Sequence, residues 1–241
     1  MSDFTIGLES WHCWASGISQ GELWQSWIDG TLRPTPGDPP PLDSIKPIQR
    51  RRLSTIARGA FYCANPCLQG RKPTATVFCS AHGEAPRAAN LLEAIARGEM
   101  VSPNAFSLSV HNAIAGLFGI FTQENAASIS VAAGIEGIGA AFLEAWCRQQ
   151  EHGCGDVLVV VYDDQVPDLF GARSAAPPVP LAAGFLLRQA AKTRFRLERR
   201  SVAGQSAAHW DQIRHLVSFL QLGHSELVLQ SERSQWKWTA L

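Results

Sequence analysis

The sequence predicts a layered α/β domain built on a mixed, mostly parallel sheet, and three observations carry that expectation. The first is a pair of short apolar, β-prone runs, TATVFCS (74–80) and DVLVVVYD (156–163), with the length of fully buried strands. The second is the segments between them, ANLLEAIARG (89–98) and GIGAAFLEAWCRQQ (137–150), which read as helices. The third is their order: strand and helix alternate, the rhythm that lays helices on the faces of a sheet.

Taken in order, Phe4–Leu8 alternates apolar and polar residues and reads as a first strand. Trp24 and Trp27, three residues apart, suit one face of a helix. PTPGDPPP (34–41) is a surface loop, because proline and glycine at that density forbid regular structure. Residues 44–62 carry an apolar stripe of Ile48, Leu53, Ile56, Ala60 and Phe61 and predict one helix. Gly98 closes the helix at 89–98. SPNAF (102–106) turns the chain into a buried helix over 107–120, and SISVA (128–132) reads as a strand. After the proline-rich loop 176–180, the segments 181–188 and 194–202 alternate like strands and suit a hairpin. A helix at 207–221, a strand near 226–230 and the terminal WKW (236–238) complete the chain.

The 241 residues are 46% hydrophobic, enough for one large core, and the absence of an internal repeat or composition break favours a single domain over 1–241. A formal net charge of zero argues against nucleic-acid binding. The longest apolar runs are too short to cross a bilayer, and the N-terminus lacks a secretory pattern, so a cytoplasmic protein without membrane insertion is expected. Cys13, Cys63, Cys67, Cys79, Cys147 and Cys154 are then expected as reduced, mostly buried thiols. The C-A-N-P-C run (63–67) has no second pair to complete a zinc site, so neither metal nor cofactor is expected.

One block carries more information. Ser102-Pro103, then Phe106, His111 and Asn112, continues as AIAGLFGI, ends in the S-I-S strand with Ser130, and runs through VAAGIEGIG into a glycine-rich helix start. This resembles the N-terminal half of a β-ketoacyl synthase. The resemblance implies a thiolase-like half-fold, with a catalytic cysteine at the strand-to-helix junction. Matched from Asn112, the junction falls at Ile135; matched from Gly134 and Ile138-Gly139, it falls at Val131. Val131, Ala132, Ala133, Gly134 and Ile135 include neither Cys nor Ser. Acyl transfer through a thioester needs a thiolate there. The family's two catalytic histidines belong to a C-terminal half absent from this sequence.

The resemblance is then to a chain length factor, a subunit without catalysis that pairs with an active ketosynthase and shapes the tunnel in which an acyl chain grows. It implies a heterodimer acting on chains carried by an acyl carrier protein, in a polyketide or aryl polyene pathway. It places Ser102, Pro103, Phe106, His111, Asn112, Ser130 and Glu136 at the partner interface or tunnel. Phe106 suits either a tunnel wall or the core. Asn112, set among apolar neighbours, is expected to satisfy backbone groups. Glu136 suits a helix N-terminus. Arg50, Arg51 and Arg52 form either a solvated helix end or a contact for an acidic carrier protein. An orphan half of a two-half fold is expected to expose apolar surface.

Two other readings stay open. FCSAHGE (78–84) follows a strong strand and offers Cys79, Ser80, His82 and Glu84, the residue types of a hydrolase or acyl-transfer enzyme using Ser80 and His82. A serine and histidine two residues apart seldom align as nucleophile and base, and G-x-S-x-G is missing. A free-standing homodimeric scaffold is the other. His209 and His215 are expected on an ordinary exposed helix.

Overall fold

The computed structural model describes residues 2–18, 22–123, 125–132, 134–151, 155–170, 176–202 and 208–241. Cys154 and Ala133 lie outside the described residues, as does the side chain of Ile135. The strands are β1 (Ser2–Ala15), β2 (Ala75–Cys79), β3 (Ala127–Val131), β4 (Val157–Asp163), β5 (Leu181–Leu187), β6 (Thr193–Ser201), β7 (Glu226–Gln230) and β8 (Ser234–Ala240). The helices are α1 (Glu22–Ile28), α2 (Pro47–Arg50), α3 (Thr55–Leu68), α4 (Ala85–Ala96), α5 (Pro103–Ser107), α6 (Ala113–Thr122), α7 (Gly137–Glu151) and α8 (His209–Leu222).

Among the described residues, these eight strands join one sheet in the order β3-β2-β4-β5-β1-β6-β8-β7. The sheet is mixed, as expected, but its majority is not. Only β2 with β3 and β2 with β4 are parallel; the other five pairings are antiparallel. The strand–helix rhythm of the middle of the chain generates the parallel part, while β1 runs against both of its neighbours and β7 and β8 form a hairpin.

The expected hairpin between 181–188 and 194–202 does not form, because β1 lies between those strands. β1 is long enough to serve both. Ser2–Leu8 pairs with β6 and Leu8–Ala15 with β5, the two registers meeting at a bulge between Leu8 and Ser10. The connection after β5 passes over Gly7, whose Cβ, were there one, would lie 2.1 Å from the Arg188 carbonyl oxygen. Only glycine admits that approach.

Both faces of the sheet are covered, giving three layers. Along β4, Val157, Val159 and Val161 face one core with Ile138, Phe142 and Ala145 of α7 and Ile213, Leu216 and Val217 of α8. Leu158, Val160 and Tyr162 face the other, with Ile56, Ala60 and Phe61 of α3 and Ile114 and Phe118 of α6. A strand buried on both faces has no polar side to show, which is why this segment reads as an unbroken apolar run.

Two helices are shorter than the sequence implied. The stripe over 44–62 divides into α2 and α3, since Ser54 caps α3 by accepting a 3.1 Å hydrogen bond from the Ala57 N–H, and Ile48 is exposed. The helix over 107–120 divides into α5 and α6, and Asn112 sits at the N-terminal boundary of α6, exposed rather than buried, its side chain making no cap. The last strand, β8, escaped the reading although Trp236 and Trp238 alternate toward the core.

Gly139 on α7 packs against the face of Trp236, and a Cβ there would sit 2.3 Å from the indole. Gly139→Val is expected to lower stability by about 1–3 kcal/mol, the range for overpacking a filled core. A urea midpoint equal to that of the unsubstituted protein would show that Trp236 moves aside freely.

Candidate functional site at the carboxyl ends of β2, β3 and β4

The three parallel strands end together. In register, Cys79 of β2 stands opposite Val131 of β3 and Val161 of β4. Val131, at the start of the VAAGI junction, therefore lies directly beside Cys79, and the Ser80 N–H donates to the Val131 carbonyl at 3.2 Å.

Strand alternation sends Cys79 and, two residues beyond Val161, Asp163 to the α7–α8 face. There they meet His209, the first residue of α8. His209 Nδ1 pairs with Asp163 Oδ2, and His209 Nε2 lies 3.9 Å from the Cys79 sulfur, which is also 3.9 Å from the Gly137 carbonyl oxygen. Asp163 and His209 are both buried. Burial opposes the charge on His209, but the adjacent carboxylate outweighs it, and the imidazole pKa rises to about 10. Burial likewise opposes ionisation of Asp163, yet His209 and then His82 hold its carboxyl well below the usual range. The pair is an imidazolium–carboxylate ion pair inside the core. The expectation that His209 lies on an exposed helix face is thus corrected; His215, on the same helix, is half-exposed.

The second Asp163 oxygen organises the turn after β2. Oδ1 accepts from the Ser80 hydroxyl at 2.9 Å, from the Ala81 N–H at 3.0 Å and from the His82 N–H at 3.2 Å. The Ser80 hydroxyl in turn accepts from the His82 and Gly83 N–H groups at 3.2 and 2.7 Å. Ser80 is fully buried and its proton goes to Asp163, not to His82. His82 Nδ1 lies 3.6 Å from the same Asp163 oxygen. Ser80 and His82 are thereby drawn to one carboxylate as a structural knot, and the geometry of nucleophile and base is not theirs.

Thiol, imidazole and carboxylate in sequence is the order of a cysteine-based relay. Here Cys79 has no exposed surface, and the ion pair it abuts joins the sheet to α8.

The sequence-nominated interface residues lie on the neighbouring surface. Among the described residues, β3 is the last strand of the sheet, paired on one side only. Ser102 caps α5, and Ser102, Pro103 and Asn112 are exposed. Phe106 is 63% exposed, outside the core. Leu92 and Ile95 of α4, which packs against α5, are exposed too, as are Met100 and Val110. His111 turns inward instead, its Nε2 lying 3.1 Å from the Ser80 carbonyl oxygen.

Glu136 faces away from that surface. It receives hydrogen bonds from the Ser231 and Ser234 hydroxyls and lies 3.8 Å from Arg199, fastening the junction to the β7–β8 turn. Of the arginine triplet, Arg50 donates to the Leu42 carbonyl and Asp43, Arg52 donates to Asn104 of α5 at 3.3 Å, and Arg51 is exposed. Cys63 and Cys67 sit one turn apart on α3, each thiol donating to a backbone carbonyl. Among the described residues, no helix is long and apolar enough to cross a membrane.

A family model described as the β-ketoacyl synthase N-terminal domain matches residues 24–239. Among solved structures, the chain is similar to one from the complex of the ketosynthase ApeO with its chain length factor ApeC from Xenorhabdus doucetiae, at 26% identity and a TM-score of 0.83, over 98% of this chain and 99% of that one. It is also similar to the ishigamide ketosynthase/chain length factor, at 15% identity and a TM-score of 0.56, over 82% and 68% of the two chains. A β-ketoacyl synthase from Burkholderia phymatum STM815 matches at 12% identity and a TM-score of 0.57, over 91% and 71%. The architecture is the thiolase-like fold of ketosynthases. No curated protein sequence matches the chain.

Proposed function

The chain belongs to the β-ketoacyl synthase N-terminal domain family, and on that premise we propose that it is a chain length factor, a subunit without catalysis that pairs with an active ketosynthase. One observation carries the reading: the strand-to-helix junction VAAGI (131–135) holds neither thiol nor hydroxyl, so no acyl-enzyme forms there. The surface beside it suits a partner. β3 leaves one edge unpaired, and Phe106 with α4 and α5 presents apolar area that a partner would bury.

The likeness at 26% identity to a chain of a ketosynthase–chain length factor complex, matched nearly end to end, supports this pairing. In the heterodimer, Phe106 and the Ser102-Pro103 turn would reach the partner's acyl tunnel and set its volume. Arg51 would meet an acidic acyl carrier protein, whose approach a basic patch accelerates. The substrate is a growing polyketide or polyene chain, and this subunit contributes surface to its tunnel.

The test is co-purification. The chain is expressed untagged beside a tagged ketosynthase encoded next to it, and complex and products are sized. A one-to-one complex, active only with both chains present, is expected. A monomer that ignores the ketosynthase sinks the reading, and a stable homodimer that ignores it favours the scaffold. In the same assay, unchanged acyl transfer with Arg51→Glu removes the carrier-protein contact.

A further inference from the structure

The sheet ends at β7 as well as at β3, and among the described residues no strand pairs with the outer edge of β7. Two hydrogen bonds fix which way its backbone faces. The Ser231 N–H donates to the Ser234 carbonyl at 2.8 Å, and the Ala240 N–H donates to the Ser225 carbonyl at 2.9 Å. Between them Leu227 stands opposite Trp238 and Leu229 opposite Trp236, and antiparallel alternation gives these residues the bonds to β8. The N–H and carbonyl groups of Glu226, Val228 and Gln230 therefore point outward. This edge carries none of the usual guards against further pairing. β7 reads ELVLQ, without proline or lysine, and meets β8 without a bulge. Its one charged side chain, Glu226, is paired with Lys237 at 2.6 Å. Residues 221–226 are exposed, and Val228 is 49% exposed at the middle of the edge.

We propose that β7 pairs with β7 of a second copy of this chain, antiparallel about a two-fold axis at Val228, so that two sheets become one. The outward-facing groups select that partner. They are placed symmetrically about Val228, so a copy turned about the axis meets every outward donor with an acceptor: Val228 faces Val228, and Glu226 faces Gln230 on either side. The side chains suit the same register. Valine packs on valine at the axis, and Glu226 meets an uncharged residue, so no like charges stand opposite. On the face that carries Trp236 and Trp238, Leu227 comes opposite Leu229 of the second copy. The inference goes beyond the pairing with a ketosynthase. β3 and β7 lie at opposite ends of the sheet, so one chain can use both, and the full assembly holds two ketosynthases on a central pair of these subunits.

Cysteine crosslinking of the full chain, alone and with its co-expressed partner, reads the register directly. Val228→Cys is expected to give a disulfide-linked dimer under oxidised glutathione, since facing residues of a hydrogen-bonded antiparallel pair have Cα atoms about 5.5 Å apart, within disulfide reach. Glu226→Cys should not, because four residues of strand separate it from its own counterpart, about 14 Å. The unsubstituted protein sets the background from the native cysteines. Sedimentation velocity should show reversible self-association that Val228→Pro weakens about tenfold or more, by removing a donor that serves no bond to β8. Val228→Lys, which keeps β7 a strand and sets like charges face to face, should weaken it as well. Both variants should melt with the unsubstituted protein and still bind the ketosynthase, while Ser130→Pro, at the opposite edge, should leave self-association intact, so either idea can fail without the other. Crosslinking through position 226 as readily as through 228, a monomer at every concentration, or self-association indifferent to both Val228→Pro and Val228→Lys would each overturn the proposal.

Discussion

Replacing Asp163 by alanine is expected to cost about 3–5 kcal/mol, the penalty for stranding one member of a buried ion pair. The loss is larger than that of an ordinary hydrogen bond for two reasons. His209 would be left as an uncompensated imidazolium between the sheet and α8, or forced neutral in the core. The donors on Oδ1, from Ser80, Ala81 and His82, would lose their shared acceptor. Urea unfolding of the variant measures the difference, and a loss under about 1 kcal/mol would show that the pair contributes little to joining the layers. Replacing Asp163 and His209 together by leucine is expected to recover only the part due to the stranded imidazolium, since the donors of Ser80, Ala81 and His82 stay without their acceptor.

The same pair sets a pH window. The Asp163 carboxyl is held below its unfolded value, so its contribution is present above about pH 4 and is lost as pH falls through the lower folded value. His209 is raised from 6.5 to about 10, so its contribution is complete below about pH 6.5 and declines as pH rises toward 10. The stability gap between the unsubstituted protein and Asp163→Ala should therefore be greatest between about pH 4 and 6.5 and shrink toward pH 10. A gap that stays constant from pH 6 to 10 would mean that His209 is not charged in the fold.

This pair also marks how far the sequence could be read. The layered fold was legible because β2 and β4 are unbroken apolar runs buried on both faces and α7 buries one apolar face, whereas the apolar residues Leu92 and Ile95 of α4 are exposed. The antiparallel majority was not, since pairing partners are set by contacts far apart in sequence: nothing local says that β1 divides itself between β5 and β6. That VAAGI holds neither thiol nor hydroxyl was visible residue by residue, because such a reading needs no geometry. His209 was missed because its partner lies on another element, yet one signal was present. A carboxylate closing the apolar run VLVVVYD must find a compensating group, and alternation along the strand says on which face to look. Glu136 was legible as a helix-start carboxylate, but its fastening to Ser231 and Ser234 depends on the β7–β8 turn that the reading left unformed.

Substituting Ser130 by proline is expected to weaken a ketosynthase complex at least tenfold, about 1.4 kcal/mol, while leaving the chain's own melting nearly unchanged. The asymmetry follows from which way the backbone faces. The Val131 carbonyl accepts from Ser80, so the amide groups of Val131 point toward β2, and those of its neighbour Ser130 point to the open edge of the sheet. Proline at 130 removes an N–H that serves no bond within the β2 ladder, and edge strands tolerate it. A partner strand added to that edge would lose the donor and meet the ring. Phe106→Asp acts on the other half of the proposed interface, placing a charge where apolar area is to be buried, and should weaken the complex without disturbing a core that Phe106 does not enter. If Phe106→Asp dissociates the complex and Ser130→Pro does not, the partner covers α4 and α5 without extending the sheet. If neither does, the ketosynthase docks elsewhere, and the unpaired edge with its neighbouring apolar helices needs another occupant.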